Sequence, residues 1–115
     1  MHIAAVILSL VLAAAMLGSG VMKLVGPAPM RANMASVHVT PSQMRVLGVL
    51  EVLATIGLVA GLWIPALGIA AAIGSIVYFV GAIVAHVRAR DKGLQGAAAL
   101  LVLSVATLVV LLLAL

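Results

Sequence analysis

The chain has 115 residues, of which 67% are hydrophobic and 7% are charged, and its mean hydropathy is +1.47. A water-soluble domain of this length needs many more polar residues to cover its surface, so the composition indicates an integral membrane protein. The lack of cysteine excludes disulfides, zinc–thiolate sites, iron–sulfur clusters and covalently attached haem. The net charge is +4, but the basic residues flank apolar spans, which does not indicate nucleic-acid binding.

Four apolar stretches are long enough to cross a bilayer, whose hydrocarbon core needs about 20 helical residues. They predict an all-α fold, an antiparallel bundle of four transmembrane helices that forms one membrane domain over residues 1–115. We do not expect the first stretch to be a cleaved signal peptide, because no Lys or Arg precedes it. The predicted helices cover about 3–25, 41–64, 66–87 and 94–115.

The first connection, residues 26–40, is the longest and contains Pro27 and Pro29. Met30, Met34 and Val37 recur in it at helical spacing, which favours a short interfacial helix lying against the membrane. The segment Thr40-Pro41-Ser42-Gln43 then predicts a capping box at the start of the second helix.

The remaining connections are short. Trp63-Ile64-Pro65 separates the second and third helices and forces them into an antiparallel hairpin. Gly93 is a natural helix stop ahead of the fourth helix. Gly57 and Gly61 form a small-xxx-small pattern, which we interpret as a helix-packing surface.

The six cations predict the orientation in the membrane. All of them lie on or beside the first and third loops, so the positive-inside rule places those loops in the cytoplasm of a bacterial-type cell and both termini outside. Alternatively, the cations near helix ends are headgroup anchors, with Asp91 a solvated partner among them. The six are Lys23, Arg31, Arg45, Arg88, Arg90 and Lys92.

Three predicted helices each carry a polar stripe. Glu51 is the most informative member, because an ionised carboxylate at membrane depth must be paired or protonated. If the stripes face inward, Lys23, Glu51 and His86 meet near the cytoplasmic end of the bundle, with Arg88 just beyond. A purely structural ion pair is the competing interpretation. The stripes are Ser9, Met16, Ser19, Gly20 and Lys23; Gly48, Glu51 and Thr55; and Ser75, Tyr78, Ala82 and His86.

The ordered motifs along the chain resemble the DoxX-like family of small four-helix membrane proteins. The resemblance covers about residues 15–92, and the fourth span matches only as an apolar stretch. The motifs are Gly20-Val21-Met22-Lys23, Gly48-Val49-Leu50-Glu51, Gly57-Leu58 with Gly61 and Pro65, Gly81-Ala82, and His86-Val87-Arg88-Ala89-Arg90-Asp91.

The resemblance implies a membrane protein, with some relatives linked to quinone-dependent oxidation of sulfur compounds or to membrane oxidoreductase complexes. The family's polar positions fall on Lys23, Glu51, His86 and Arg88, close to the set chosen from helical phase. We expect the chain to consist of the minimal four-span core, without the partner-dependent functions of longer relatives.

Three functions remain open from the sequence. The first is binding of a lipophilic small molecule, a quinone being one candidate, in association with membrane redox processes and as a homo-oligomer or part of an oxidoreductase complex. The second is an intramembrane acid–base enzyme, an isomerase or epoxide-hydrating type, acting on a hydrophobic substrate. The third is a structural or assembly partner of other membrane proteins. The sequence predicts no definite cofactor, and a quinone is the candidate. Haem is not expected, because one inward His, with Met16 or Met22 as a second ligand, is a poor haem site.

The same residues serve each function. Glu51 and His86 are the predicted catalytic pair, because a carboxylate and an imidazole in a dry pocket suit proton transfer. The predicted binding residues are Lys23, Tyr78, Arg88, Thr55 and Ser75. We predict no metal site.

Overall fold

The computed structural model describes residues 2–90 and 94–115, and every regular element in those ranges is an α-helix. Four of the helices are long and apolar enough to cross a membrane. The predicted all-α fold with four transmembrane helices is therefore confirmed, whereas the predictions for Asp91, Lys92 and Gly93 lie outside the described residues. The helices are α1 (Ile3–Val25), α2 (Ala28–Ala35), α3 (Pro41–Ala60), α4 (Pro65–Arg88) and α5 (Gln95–Leu113).

Helix ends follow local backbone chemistry. α1 covers its predicted span and stops at Gly26, whose left-handed backbone (φ 64°) lets its N–H donate to the carbonyl of Met22. α3 ends at Ala60, four residues earlier than predicted, because Ile64 must be extended ahead of Pro65. Pro65 then occupies the first turn of α4, where its missing N–H is harmless.

The predicted capping box at the start of α3 is present. The N–H of Gln43 donates to the hydroxyl of Thr40 at 3.2 Å, and the N–H of Thr40 donates to the side-chain oxygen of Gln43 at 3.0 Å. These reciprocal bonds satisfy two amides that the first turn leaves unpaired. The cap fixes the point where the long linker becomes α3.

The four long helices form a ring in which α1 packs against α3 and α5, and α4 packs against the same two helices. Small residues permit the close crossings. The carbonyl oxygen of Gly20 would lie 2.8 Å from a Cβ placed on Gly48, so α1 and α3 touch through backbone. Gly61 meets the backbone of Gly68 on α4 in the same way. The predicted helix-packing role of the small-xxx-small pattern is thus observed.

Apolar side chains cover the outside of this ring as well as its interior. Val77 on α4 is 67% exposed and Val102 on α5 is 69% exposed. Such a surface would be unfavourable in water and suits a hydrocarbon environment. The interior contains a core around Leu12, Met16 and Phe79.

The short helix α2 lies in the first connection, where an interfacial helix was expected, and contacts α3. Val37, which follows α2, is buried, and Met30 and Met34 are half-buried. His38 adopts a left-handed backbone (φ 63°), which reverses the chain after α2. We call the end of the bundle where α1 and α4 end and α3 and α5 begin the linker end, because α2 and residues 36–40 lie there.

Candidate functional site

Among the residues that the structure describes, Glu51 is the most deeply buried ionisable one, with 0% of its surface exposed. It lies on the inner face of α3, one turn after Gly48 and one turn before Thr55, all three of which are buried. The backbone crossing of Gly20 and Gly48 brings α1 so near that a Cβ on Gly20 would lie 3.1 Å from the Cβ of Glu51. The carboxylate therefore sits between helices rather than facing lipid.

One oxygen of this carboxylate receives two donors from two other helices. The ammonium of Lys23 on α1 lies 2.6 Å from Oε1 of Glu51, and the hydroxyl of Tyr78 on α4 donates to the same oxygen. Lys23 also donates to the hydroxyl of Ser19, one turn earlier on α1, at 2.7 Å. Lys23 and Glu51 therefore form an ion pair, and the ammonium supplies the counter-charge that a buried carboxylate requires.

The other oxygen, Oε2 of Glu51, is buried and accepts no hydrogen bond from the described residues. A buried acceptor without a donor is destabilising by about 1–3 kcal/mol, and most such atoms in proteins have partners. The carboxylate is thus saturated on one side and unsatisfied on the other.

A cavity of about 950 Å³ adjoins this cluster at the linker end of the bundle. Glu51, Lys23, Ser19 and Tyr78 line its polar side, together with the half-buried His86 on α4. Much of the remaining wall is made of small or apolar residues, which leaves room for a guest molecule. These include Val46, Leu47, Val77, Gly81, Ala82, Ala85, Gly96, Ala97 and Leu100.

Four of the seven predicted site residues line the cavity, namely Lys23, Glu51, Tyr78 and His86. Glu51, Lys23 and Tyr78 are in direct contact. Arg88 is exposed and is not among the lining residues. The catalytic and binding roles assigned to these residues stay predictions.

Thr55 and Ser75 are buried but lie away from the cavity lining. The Thr55 hydroxyl is 3.0 Å from the carbonyl oxygen of Glu51 and 3.3 Å from that of Ala13 on α1. The Ser75 hydroxyl is 2.8 Å from the carbonyl oxygen of Ala71 and 3.1 Å from the sulfur of Met16. These contacts pack the helices together, and no proposed ligand contact rests on them.

The sequence interpretation did not include the linker in the site. Met30, Met34 and Val37 had been recognised at helical spacing and assigned to the membrane surface, yet all three line the cavity. Asn33 and His38 line it too and carry no sequence signal that would have selected them. Their inclusion depends on how α2 folds over the linker end, which is a tertiary feature.

Metal binding has no support in the described ranges, 2–90 and 94–115. No group of three or more His, Cys, Asp or Glu side chains within them comes together in a way that could hold a metal ion.

A protein-family model described as the DoxX-like family matches residues 7–113 of the chain. The match covers α3, α4 and α5 in full and α1 from Ile7 onward, and it includes Lys23, Glu51 and Tyr78. No curated protein and no solved structure matches the chain significantly.

Proposed function

This chain belongs to the DoxX-like family and is an integral membrane protein, and we propose that it binds a lipophilic small molecule whose polar head lies against Glu51. The observation that carries the proposal is a fully buried carboxylate, bordering a cavity, with one oxygen that no described residue satisfies. A ligand head group at Glu51 would supply the missing interaction.

The size and lining of the cavity support this function. Sites for small molecules usually have volumes of roughly 300–1,000 Å³ and are mainly apolar with a few placed polar groups. The cavity has about 950 Å³ and combines apolar walls with Glu51, Lys23 and Tyr78 at one side. An amphiphile with a ring or chain and one polar end fits that distribution.

The linker end supplies the rest of the binding surface. Met30 and Met34 on α2 and Val37 after it lie over the cavity. Methionine is unbranched and flexible, so it adapts to apolar guests of different shape. We propose that the guest's apolar body contacts these side chains while its head contacts Glu51.

A quinone-type ligand would connect the proposed binding function with membrane redox processes. The family resemblance points to quinone-linked oxidation in some relatives, and a ring with oxygen substituents matches a cavity in which apolar walls adjoin Glu51, Lys23 and Tyr78. Other polar side chains, among them Asn33, Gln43 and His86, also line the cavity. The chain would then act beside a membrane oxidoreductase that exchanges electrons with the quinone.

The test is to identify small molecules that co-purify with the protein, using a variant that fills the cavity. Gly81 lines the cavity, and among the described residues no atom lies within 4 Å of a Cβ placed there. Gly74 on the same helix has equally open surroundings but is not among the cavity-lining residues. Gly81→Leu should fill part of the cavity, and Gly74→Leu is its matched control.

We expect wild-type protein and Gly74→Leu to carry a lipophilic small molecule, detected by mass spectrometry, that Gly81→Leu lacks. Size-exclusion chromatography and thermal unfolding check that both variants fold. Equal retention by all three proteins, or no molecule other than bulk lipid in any of them, would count against the proposal. If a bound molecule is converted to a product, and Glu51→Gln stops that conversion, the acid–base enzyme replaces it.

A further inference from the structure

The chemistry of the ligand's head group can be narrowed from the hydrogen-bond pattern at Glu51. Resting on the proposed function, we infer that the head group is an uncharged hydroxyl, such as a phenol, a hydroquinone or an alcohol, that donates to Oε2 of Glu51. The inference separates hydroxyl compounds from their ketone, ether and carboxylate counterparts.

Oε2, the carboxylate oxygen of Glu51 without a partner among the described residues, is a hydrogen-bond acceptor. Oε1 takes both the Lys23 ammonium and the Tyr78 hydroxyl, so the carboxylate is the negative member of an ion pair. An ionised carboxylate accepts hydrogen bonds and donates none. Oε2 can therefore be satisfied only by a donor, and a head group with carbonyl or ether oxygens alone leaves it unsatisfied. Because Glu51 is 0% exposed, the donor reaches Oε2 when the side chains that cover it shift on binding.

Charge also constrains the head group. Lys23 and Glu51 neutralise each other, with their side chains 10% and 0% exposed respectively. A carboxylate head group would add a second negative charge beside Glu51 in a site with little water, where like charges repel strongly. A protonated amine would add a second cation beside Lys23. An uncharged head group leaves the pair balanced.

A hydroxyl both donates and accepts hydrogen bonds, so it can pair with the acceptor and with the donors on the polar side of the cavity. While donating to Oε2, its oxygen can accept from Ser19 or Lys23, which also line the cavity. A hydroquinone has this hydroxyl and its oxidised quinone does not, although their carbon skeletons are the same. The site should therefore favour the reduced member of such a pair.

The experiment compares three probes that share a decyl-substituted ring and differ only in their oxygen substituents, and it adds one pair of single-chain probes, dodecanol and dodecanoate. A decyl-substituted benzoquinone, its hydroquinone and the dimethyl ether of that hydroquinone are titrated under anaerobic conditions into the full chain in lipid nanodiscs. We expect the hydroquinone to bind roughly 10- to 100-fold more tightly than its dimethyl ether, because it alone donates to a charged acceptor. The quinone should resemble the ether, and dodecanoate should bind more weakly than dodecanol.

A second readout uses a variant in which both charged residues are replaced. Replacing Glu51 alone would leave the Lys23 ammonium buried without its counter-charge. In the double variant Lys23→Met/Glu51→Gln, the amide NH₂ replaces one carboxylate oxygen and can donate to a carbonyl. We expect the hydroquinone preference to disappear or reverse there, while Gly74→Leu keeps the wild-type preference.

The outcomes distinguish the inference from the function on which it rests. Equal affinities for the three probes in wild-type protein, all abolished by Gly81→Leu, overturn the hydroxyl inference and leave the proposed function standing. No saturable binding of any probe overturns both. A hydroquinone preference that persists unchanged in the double variant also overturns the inference, because the preference would then arise elsewhere.

Discussion

Lys23 and Glu51 lie 28 positions apart in the chain, and their side chains meet at 2.6 Å between α1 and α3. The contact is made where Gly20 and Gly48 let the two backbones touch, one turn before each charged residue. The close crossing and the ion pair thus lie side by side on the facing surfaces of α1 and α3. The glycines and the ion pair therefore form one structural unit.

Removing one member of this pair should destabilise the fold strongly. Lys23→Met leaves the Glu51 carboxylate buried without its cation, a change that typically lowers the free energy of unfolding by about 3–5 kcal/mol. Unfolding in mixed detergent micelles, followed by circular dichroism, measures the loss.

The double variant provides the control for that prediction. In Lys23→Met/Glu51→Gln no charge is buried, so its loss should be clearly smaller than the sum of the two single losses. Additive losses would mean that the two side chains are not coupled, and the contact would then contribute nothing beyond its separate parts.

The crossing of α1 and α3 should not tolerate a methyl group. A Cβ on Gly48 would lie 2.8 Å from the carbonyl oxygen of Gly20, so Gly48→Ala should lower stability by about 1–3 kcal/mol through overpacking. Gly18→Ala on α1 is the matched control, because among the described residues nothing lies within 4 Å of its Cβ position. Alanine there should be neutral or slightly stabilising. Equal effects of the two changes would contradict the close approach.

The capping box should control order at the start of α3. Thr40→Ala removes the acceptor for the Gln43 amide and should lower stability by about 1 kcal/mol. Hydrogen exchange at the amides of Gln43 and Met44 should accelerate, while exchange in α5 should not change. Thr40→Ser keeps a hydroxyl and should behave like the wild type. If alanine and serine exchange alike, the cap does not hold the helix end.

The predicted orientation can be tested directly because the chain has no cysteine of its own. Ala32→Cys lies on exposed α2, and Trp63→Cys replaces a residue that is 77% exposed at the opposite end of α3. We expect an impermeant maleimide added to intact cells to label position 63 and not position 32. Labelling of position 32 alone would reverse the assigned orientation.

Sequence patterns were sufficient for the long helices and for the inward faces that carry Lys23, Glu51 and Tyr78, the three side chains in direct contact. Span length predicted the four long helices, and helical phase placed Gly48, Glu51 and Thr55 on the buried face of α3. Such patterns work because a bilayer demands long apolar segments and penalises isolated charge within them.

The parts that escaped sequence reasoning depend on tertiary geometry. Helical phase put Tyr78 on the inward side of α4, but it could not reveal that its hydroxyl and Lys23 share one oxygen of Glu51. It also could not show that α2 lines the cavity with Met30 and Met34, since eight residues between breaks fix no direction relative to the bundle.

Arg88 was assigned to the site from the family resemblance and from its place just beyond His86, not from helical phase. It lies one turn from Val84 at the end of α4, and the structure leaves it exposed. Val84 and Val77, which lie on the same side of α4, are 45% and 67% exposed, so helical phase by itself places Arg88 on the outside of the bundle.

Lys23 on α1 and Tyr78 on α4 both donate to Oε1 of Glu51 on α3, so one atom links three helices. Moving or replacing that carboxylate would weaken both contacts together, which would loosen α1 and α4 from α3 in a single event. The packing of three transmembrane helices therefore depends on a single oxygen atom.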